Sequence, residues 1–392
     1  LNDKFYNFFR LAGEFALYGL LFFLPISNAL VESFACLALF GFIGRKILKP
    51  DFEYFKFWPN IFLVLFLFFS ALSLSNSGAY LKISLNALFG KWLQYLGICL
   101  IVQDGIYNHK IIKRGIVIFL FGAALAVFSG LSQYFFNLEF LQNKGIANLS
   151  GGLRAATSCF NHYNTFGGYL VVVLSLVSAL LLANSYSRLK INGLLVLTGL
   201  STMAIIFTFS RGSWLAMFVS FVFMAILSRE NIKRLVPVFI VIVVLFLFPV
   251  FYERLFLVFK SGGDSDRFRY WWAAWKMINE HPFFGMGAGT FMANFSKFIP
   301  NRNISYAHNC YLQIWAETGI FALLSFVGFM ASFVYLGIKR FIVSKDFLLL
   351  GLLSGVVGFL THSFFDTDLY SLRLAVLFWV WVGLIAGRIQ KV

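Results

Sequence analysis

The sequence predicts an all-α integral membrane protein with about twelve transmembrane helices. Two observations predict it. Of 392 residues, 60% are hydrophobic and only 12% are charged. A soluble domain carries roughly 25% charged residues, so too little polar surface exists here to face water. The apolar runs also continue without alternating polarity. In hydrocarbon every backbone N–H and C=O must pair inside a helix or a closed barrel, and the missing alternation excludes the barrel.

Twelve apolar segments follow in order: 11–26, 29–44, 58–74, 85–103, 115–135, 164–184, 191–209, 213–228, 235–252, 311–337, 347–363 and 374–389. A span needs about 20 residues, and several of these are short. The first two are separated only by Pro25-Ile26-Ser27-Asn28, and the seventh and eighth by Ser210-Arg211-Gly212. Each tight turn joins a helical hairpin or marks a re-entrant helix. Leu11 to Ile26 reads as a first span that is retained rather than a cleaved signal.

Lys and Arg set the orientation. One set of loops holds Arg45, Lys46, Lys49 and Lys56; Lys110, Lys113 and Arg114; Arg188 and Lys190; Arg229, Lys233 and Arg234; Lys339, Arg340 and Lys345. The end segments add Lys4, Arg10, Arg388 and Lys391, while the short loops opposite hold only Lys82, Arg211 and Arg373. Both termini are therefore expected on the cytoplasmic side. The net charge of +16 belongs to these loops and argues for a bilayer partner, not nucleic acid. Cys36, Cys99, Cys159 and Cys310 lack metal-ligand spacing and read as small buried hydrophobes.

The chain reads as a single polytopic membrane domain over 1–392. Two long segments fall on the outer side, about 136–163 and 253–310, the latter a periplasmic loop between spans 9 and 10. Long loops that hold structure often carry function. Within the second, Phe268, Trp271, Trp272, Trp275 and Ile278 share one face of a helix that Asp264, Ser265 or Asp266 caps and Pro282 ends. Such a face suits a helix lying in the membrane interface, or else a packed outer lid. Gly285-Met286-Gly287-Ala288-Gly289 then reads as a flexible turn.

Ionisable groups at membrane depth by default signal function. Arg211 lies beside a helix start that Ser213 could cap. A guanidinium fork with free N–H groups and the helix dipole forms an oxyanion site; the alternative is an arginine snorkelling from a span end. Arg267 begins the amphipathic helix, with Arg269 a competitor, and a solvated helix start is its bland reading. His308, in Tyr306-Ala307-His308-Asn309, stands where the outer loop re-enters the membrane and can accept a proton from a hydroxyl. Glu317 lies in an apolar run and could partner His308 or an arginine, or be a satisfied polar residue. The first outer loop adds Arg154 and Asn161-His162-Tyr163-Asn164, and the last outer turn His362-Ser363-Phe364-Phe365-Asp366-Thr367-Asp368. Asp264/Asp266 and Asp366/Asp368 have an Asp-x-Asp form that can hold a metal but more often caps a turn. No Ser/His/Asp arrangement, zinc motif, P-loop or internal repeat is evident, which argues against an ATP-driven pump. What survives is two arginines and one histidine on the outer face, suited to a diphosphate and an attacking hydroxyl.

At these residues the chain resembles the O-antigen ligase family, the superfamily that includes Wzy-type O-antigen polymerases and O-linked oligosaccharyltransferases. Four stretches carry the resemblance: Arg154 through Asn164, RAATSCFNHYN; Phe209 to Trp214, FSRGSW; Arg267 through Phe291, RFRYWWAAWKMINEHPFFGMGAGTF; and His308 to Gly319, HNCYLQIWAETG. HSFFDTDLY is also typical. The likeness covers about 150–392, the N-terminal third matching only as spans, and Phe-Ala-Leu-Leu after Ile320 departs where a second glycine is common.

The resemblance implies a GT-C-like membrane glycosyltransferase of the bacterial inner membrane, inverting and independent of metal or cofactor. Its donor would be an undecaprenyl-diphosphate-linked glycan at the periplasmic face, and its acceptor a sugar of the lipid A core. Arg211 and Arg267 would bind the diphosphate, with Arg154 a further contact. His308 would be the base or position the acceptor. Arg269, Asn164, Tyr306, Asn309, Glu317 and His362 are secondary candidates. A polymerase would use the same donor chemistry. A transporter should instead show repeats or interrupted helices near the midplane, and the sequence displays neither.

Overall fold

The computed structural model describes residues 2–105, 109–141, 145–149, 152–183, 187–229, 233, 265–300 and 305–390. The expected ninth span, 235–252, lies outside the described residues, as does 253–264 of the outer loop.

The chain folds as helices α1 (Asn2–Phe23), α2 (Asn28–Leu48), α3 (Asn60–Leu72), α4 (Leu81–Ala87), α5 (Leu93–Gly105), α6 (His109–Phe136), α7 (Tyr163–Leu182), α8 (Arg188–Ile206), α9 (Arg211–Leu227), α10 (Ser265–Glu280), α11 (Phe291–Phe298), α12 (Cys310–Ser344), α13 (Phe347–His362) and α14 (Leu372–Gln390). Among the described residues a two-stranded hairpin, β1 (Ala147–Asn148) with β2 (Arg154–Ala155), interrupts the helices within 136–163.

Among the described residues six helices are long and apolar enough to cross a membrane: 78–104, 110–136, 163–182, 188–206, 310–344 and 372–390. Shorter apolar helices cover 60–76, 211–227 and 347–362. Large apolar side chains such as Phe121, Phe128, Phe218 and Leu324 point outward, which only a lipid surround makes tolerable. The protein is a multi-pass integral membrane helical protein. Its core is built on α7 and α14, whose apolar residues are buried almost throughout. They pack with α5, α8, α9 and α13, while α12 packs on α3.

The first tight turn is a helical hairpin, α1 packing along α2, whereas at the second α8 and α9 diverge and each packs on α7. Ser27 caps α2, its hydroxyl accepting from the Leu30 N–H at 3.4 Å, and a Cβ on Gly41 would lie 2.8 Å from the Phe9 carbonyl. Only hydrogen at that position lets the α1 and α2 backbones meet so closely.

The loops sort to two ends of the bundle. At one, Asp104 takes Arg45 at 2.8 Å and Lys46 at 2.6 Å, and Gln103 bonds Gln390 at 2.9 Å. At the other, Arg373 donates to the carbonyls of Pro25 at 2.8 Å and Cys159 at 2.9 Å. The candidate residues gather at this second end.

Here α12 is interrupted, contrary to the expectation of unbroken spans. Gly319 has φ 84° and ψ 173°. The backbone groups that the break frees find partners in the chain after α10: Ile320 N–H donates to the Pro282 carbonyl at 3.0 Å, Met286 N–H to Ala316 at 3.0 Å and Gly287 N–H to Glu317 at 2.9 Å. Residues 320–344 extend about 37 Å at 1.5 Å per residue and suffice alone to span. The break therefore detaches 310–318 from the span rather than opening a site at its middle, and the span shifts from the expected 311–337 toward the basic end.

The glycine turn is locked rather than flexible. Gly285, Gly287 and Gly289 have φ of 66°, 108° and 71°, which favour glycine. Met286 and Ala288 are buried, the Ser73 hydroxyl accepts from Ala288 N–H at 3.1 Å, and Asn76 donates to the Gly285 carbonyl at 2.9 Å.

Helix α10 turns its small residues inward. Ala273, Ala274, Met277 and Ile278 pack on Phe291, Phe295 and Ala316, whereas Phe268, Trp272 and Trp275 are exposed. Ile278 thus leaves the expected aromatic face, and Trp271 is half-buried. The exposed aromatic stripe continues through Phe283 to Phe321 on α12, stacked at 5.9 Å.

Candidate active site

His308 stands just ahead of α12 with φ 49°. Asn309 forces the helix to start there, its side-chain oxygen accepting from Tyr311 and Leu312 N–H, both at 3.0 Å. Asn309, a secondary candidate, is buried with its side-chain oxygen engaged in that cap. The His308 imidazole lies with Nδ1 3.1 Å from Asp366 Oδ1 and Nε2 3.2 Å from the Ser305 hydroxyl. Tyr270 of α10 covers the ring, centroids 5.7 Å apart. Arg267 lies three residues before Tyr270, hence on the same helix face. Asp366 also accepts from Thr367 N–H at 2.8 Å. Burial alone would raise its carboxyl, but the hydrogen bond and charge of His308 hold it well below the usual carboxylate range.

The other carboxylate of the Asp-x-Asp pair serves a different histidine. Asp368 Oδ2 is 2.7 Å from His362 Nδ1, and His362 Nε2 is 3.0 Å from the Ser213 hydroxyl, which reaches Ser210 at 2.8 Å. The fold thus assembles the Ser/His/Asp order that the sequence conceals. All three residues are fully buried, so the chain of bonds acts on its neighbours, not on a substrate. Ser210 and Ser213 flank Arg211, the half-buried first residue of α9. Ser210, not Ser213, is the N-cap, its hydroxyl accepting from Ser213 N–H at 3.4 Å.

One turn, 362–368, therefore touches both Arg211's helix and His308. Arg267 joins them electrostatically. The charges of Asp366, His308 and Arg267 all act on His162, and those of Asp366 and Arg267 on His362. Loss of hydration around His162, with Arg267 nearby, pushes its pKa down against the pull of Asp366. His162 caps α7, Nδ1 accepting from Asn164 N–H at 3.2 Å, and Asn164 itself is buried.

The remaining candidates separate. Arg154 is exposed and donates to Asn137. Its strand is tied to the Arg211 turn, Ala156 N–H donating to the Phe207 carbonyl at 2.9 Å. Arg269 is exposed on α10. Tyr306 is half-buried beside Tyr370, rings 6.1 Å apart. Among the described residues Glu317 partners neither His308 nor an arginine. Its carboxylate accepts from Gly289 N–H at 2.8 Å, Phe291 N–H at 3.2 Å, Gln313 at 3.1 Å and the Tyr370 hydroxyl at 3.0 Å. It caps α11 and fastens the glycine turn. Asp264 lies outside the described residues. Among those described, no three His, Cys, Asp or Glu side chains form a group able to hold a metal ion.

No curated protein matches the chain. The family model Wzy_C, O-antigen ligase, matches residues 193–327, a stretch holding Arg211, Arg267, Arg269, Tyr306, His308, Asn309 and Glu317 but not Arg154, Asn164 or the 362–368 turn. A multi-pass helical bundle that brings Arg211, Arg267 and His308 to one end is thus similar, over residues 193–327, to the O-antigen ligase family.

Proposed function

We propose that the protein transfers a glycan from undecaprenyl diphosphate to a lipid A–core sugar at the periplasmic face of the bacterial inner membrane, with inversion and without a metal. What supports this reading is that the helices bearing Arg211 and Arg267 meet the surroundings of the His308–Asp366 pair, α9 through the Ser213–His362 bond and α10 through Tyr270 over the His308 ring. Arg211 and Arg267 bind the diphosphate of the donor and stabilise its charge as it leaves. Asp366 holds the His308 Nδ1 proton, so that Nε2 presents a lone pair. The acceptor hydroxyl displaces Ser305 from Nε2. Its oxygen then bonds the anomeric carbon, its proton passes to Nε2, and the carbon–oxygen bond to diphosphate breaks with the electron pair leaving on the diphosphate.

The domain is shared by ligases and polymerases, and a polymerase would run the same step with a second lipid-linked glycan as acceptor. The broken α12 is the one feature that favours a transporter. Its freed backbone groups are bonded to 282–287 rather than presented to a cavity, which supports the enzyme. The test supplies purified protein with undecaprenyl-diphosphate-linked glycan and either lipid A–core or more donor. Transfer to lipid A–core that disappears in a folded His308→Ala variant supports the ligase; chain extension alone supports the polymerase; neither product, with donor moved across a vesicle, overturns the transferase.

A further inference from the structure

The mechanism proposed above leaves the buried chain Asp368–His362–Ser213 without a task. It is costly to assemble, because His362, Asp368 and Ser213 are all removed from solvent, and a buried polar network is stable only when every member is satisfied. It is also oddly placed for a fold-stabilising device. One end is the hydroxyl two residues after Arg211, and the other is an aspartate two residues after the His308 partner Asp366.

The turn between them behaves as a strut. On one side, besides the His362–Ser213 bond, Gly212 faces Phe365 so closely that an added Cβ would lie 3.1 Å from the phenylalanine Cβ. On the other, Cys310 N–H donates to the Ser363 carbonyl at 2.8 Å, and Tyr311 donates its hydroxyl proton to the Leu360 carbonyl at 2.8 Å. Asp366 N–H bonds the His362 carbonyl at 3.1 Å, so the two aspartate–histidine pairs share one backbone unit.

We propose that His362 is a positioning residue that fixes the start of α9, and so the Arg211 guanidinium, at a set separation from His308. This rests on the reading of Arg211 as a diphosphate ligand. Asp368 holds His362 in one orientation, and His362 holds Ser213 through Nε2. Without the link the start of α9 keeps its packing on Gly167 and the Trp214 bond to the Ile205 carbonyl but loses its hydrogen bond to the 362–368 turn, and the arginine fork no longer meets the diphosphate in register with the base. A shift of about 1 Å in a binding group is enough to spoil the alignment that such chemistry needs.

The test measures binding of undecaprenyl diphosphate to the full chain in lipid nanodiscs, for Ser213→Ala and His362→Gln, each with Arg211 intact and with Arg211→Ala. Both single variants are expected to weaken binding about tenfold, the order of coupling between neighbours in one network. In the Arg211→Ala background neither should weaken it further, because the link acts through that side chain. Weakening of the same size in both backgrounds would mean general packing and would overturn the proposal. So would wild-type binding by Ser213→Ala, which decides the matter even where His362→Gln does not fold. If Arg211→Ala alone binds as tightly as wild type, the diphosphate reading fails and the positioning role with it; if Arg211→Ala is impaired and Ser213→Ala is not, only the positioning role fails.

Discussion

Replacing Asp366 by asparagine isolates what the carboxylate does for His308. The two side chains meet at 3.1 Å. Unit charges at that distance attract by about 5 kcal/mol at an effective dielectric of about 20, which bounds what the carboxylate offers an imidazolium forming during transfer. His308 and Asp366 retain 28% and 14% side-chain exposure, so water screens part of this. Asparagine still accepts from Thr367 N–H, but it can offer an N–H to Nδ1 and move the imidazole proton to Nε2, the wrong tautomer for a base. The expected loss is about 10²–10³ in turnover, or about 3–4 kcal/mol at 1.36 kcal/mol per decade. The assay follows transfer of glycan from its undecaprenyl diphosphate carrier to lipid A–core in nanodiscs, products being resolved as a ladder. Thermal unfolding should stay near wild type. Adding Asp366→Asn to His308→Ala should cost nothing more, since the pair acts as a unit. Turnover within threefold of wild type would refute the reasoning, as would an equal further loss in the His308→Ala background.

Arg211→Lys keeps the charge but loses the bidentate fork, so undecaprenyl diphosphate binding should fall about tenfold or more, read in the same nanodiscs. Gly287→Ala would force a Cβ to 2.5 Å from the Ser77 hydroxyl at φ 108°, and it should destabilise the protein by about 1–3 kcal/mol, seen as a lowered unfolding temperature in detergent. Glu317→Ala strands four donors in a buried site and should cost about 3 kcal/mol or more, measured the same way. The depressed Asp366 carboxyl gives a pH signature. A lowered folded-state pKa contributes stability that is fully present above the ordinary value near 4 and is lost only as pH falls through the folded one. The wild type should therefore lose this contribution below about pH 4, and Asp366→Asn should flatten that part of its stability curve.

Much of this was legible from local pattern. Apolar runs and loop charges marked the described spans and the two ends of the bundle, and solitary polar residues beside them marked Arg211, Arg267 and His308. Pairings between distant segments were not. Asp366 is 58 residues from His308, Ser213 is 149 from His362, and Asn76 is 209 from Gly285. No periodicity within one helix encodes such contacts. The only available signal for the first two was the density of ionisable groups in His362 to Asp368. Helix α10 was legible only in part. Phe268, Trp272 and Trp275 do share an exposed face, but Ile278 lies on the opposite, buried one with Ala273, Ala274 and Met277, a packing face of small residues that periodicity marks poorly. The glycines of 285–289 read as freedom when alone and as close approach once their neighbours are known.

The clamp on that glycine turn bears on how such proteins could be recombined. Ser73 and Asn76, which hold it, lie far upstream of residues 193–327, and His362, Asp366 and Asp368 lie downstream. A chimera exchanging only 193–327 with a relative would arrive without either brace. Grafts that carry 73–87 and 360–371 along with the insert are the ones that should fold into working hybrids.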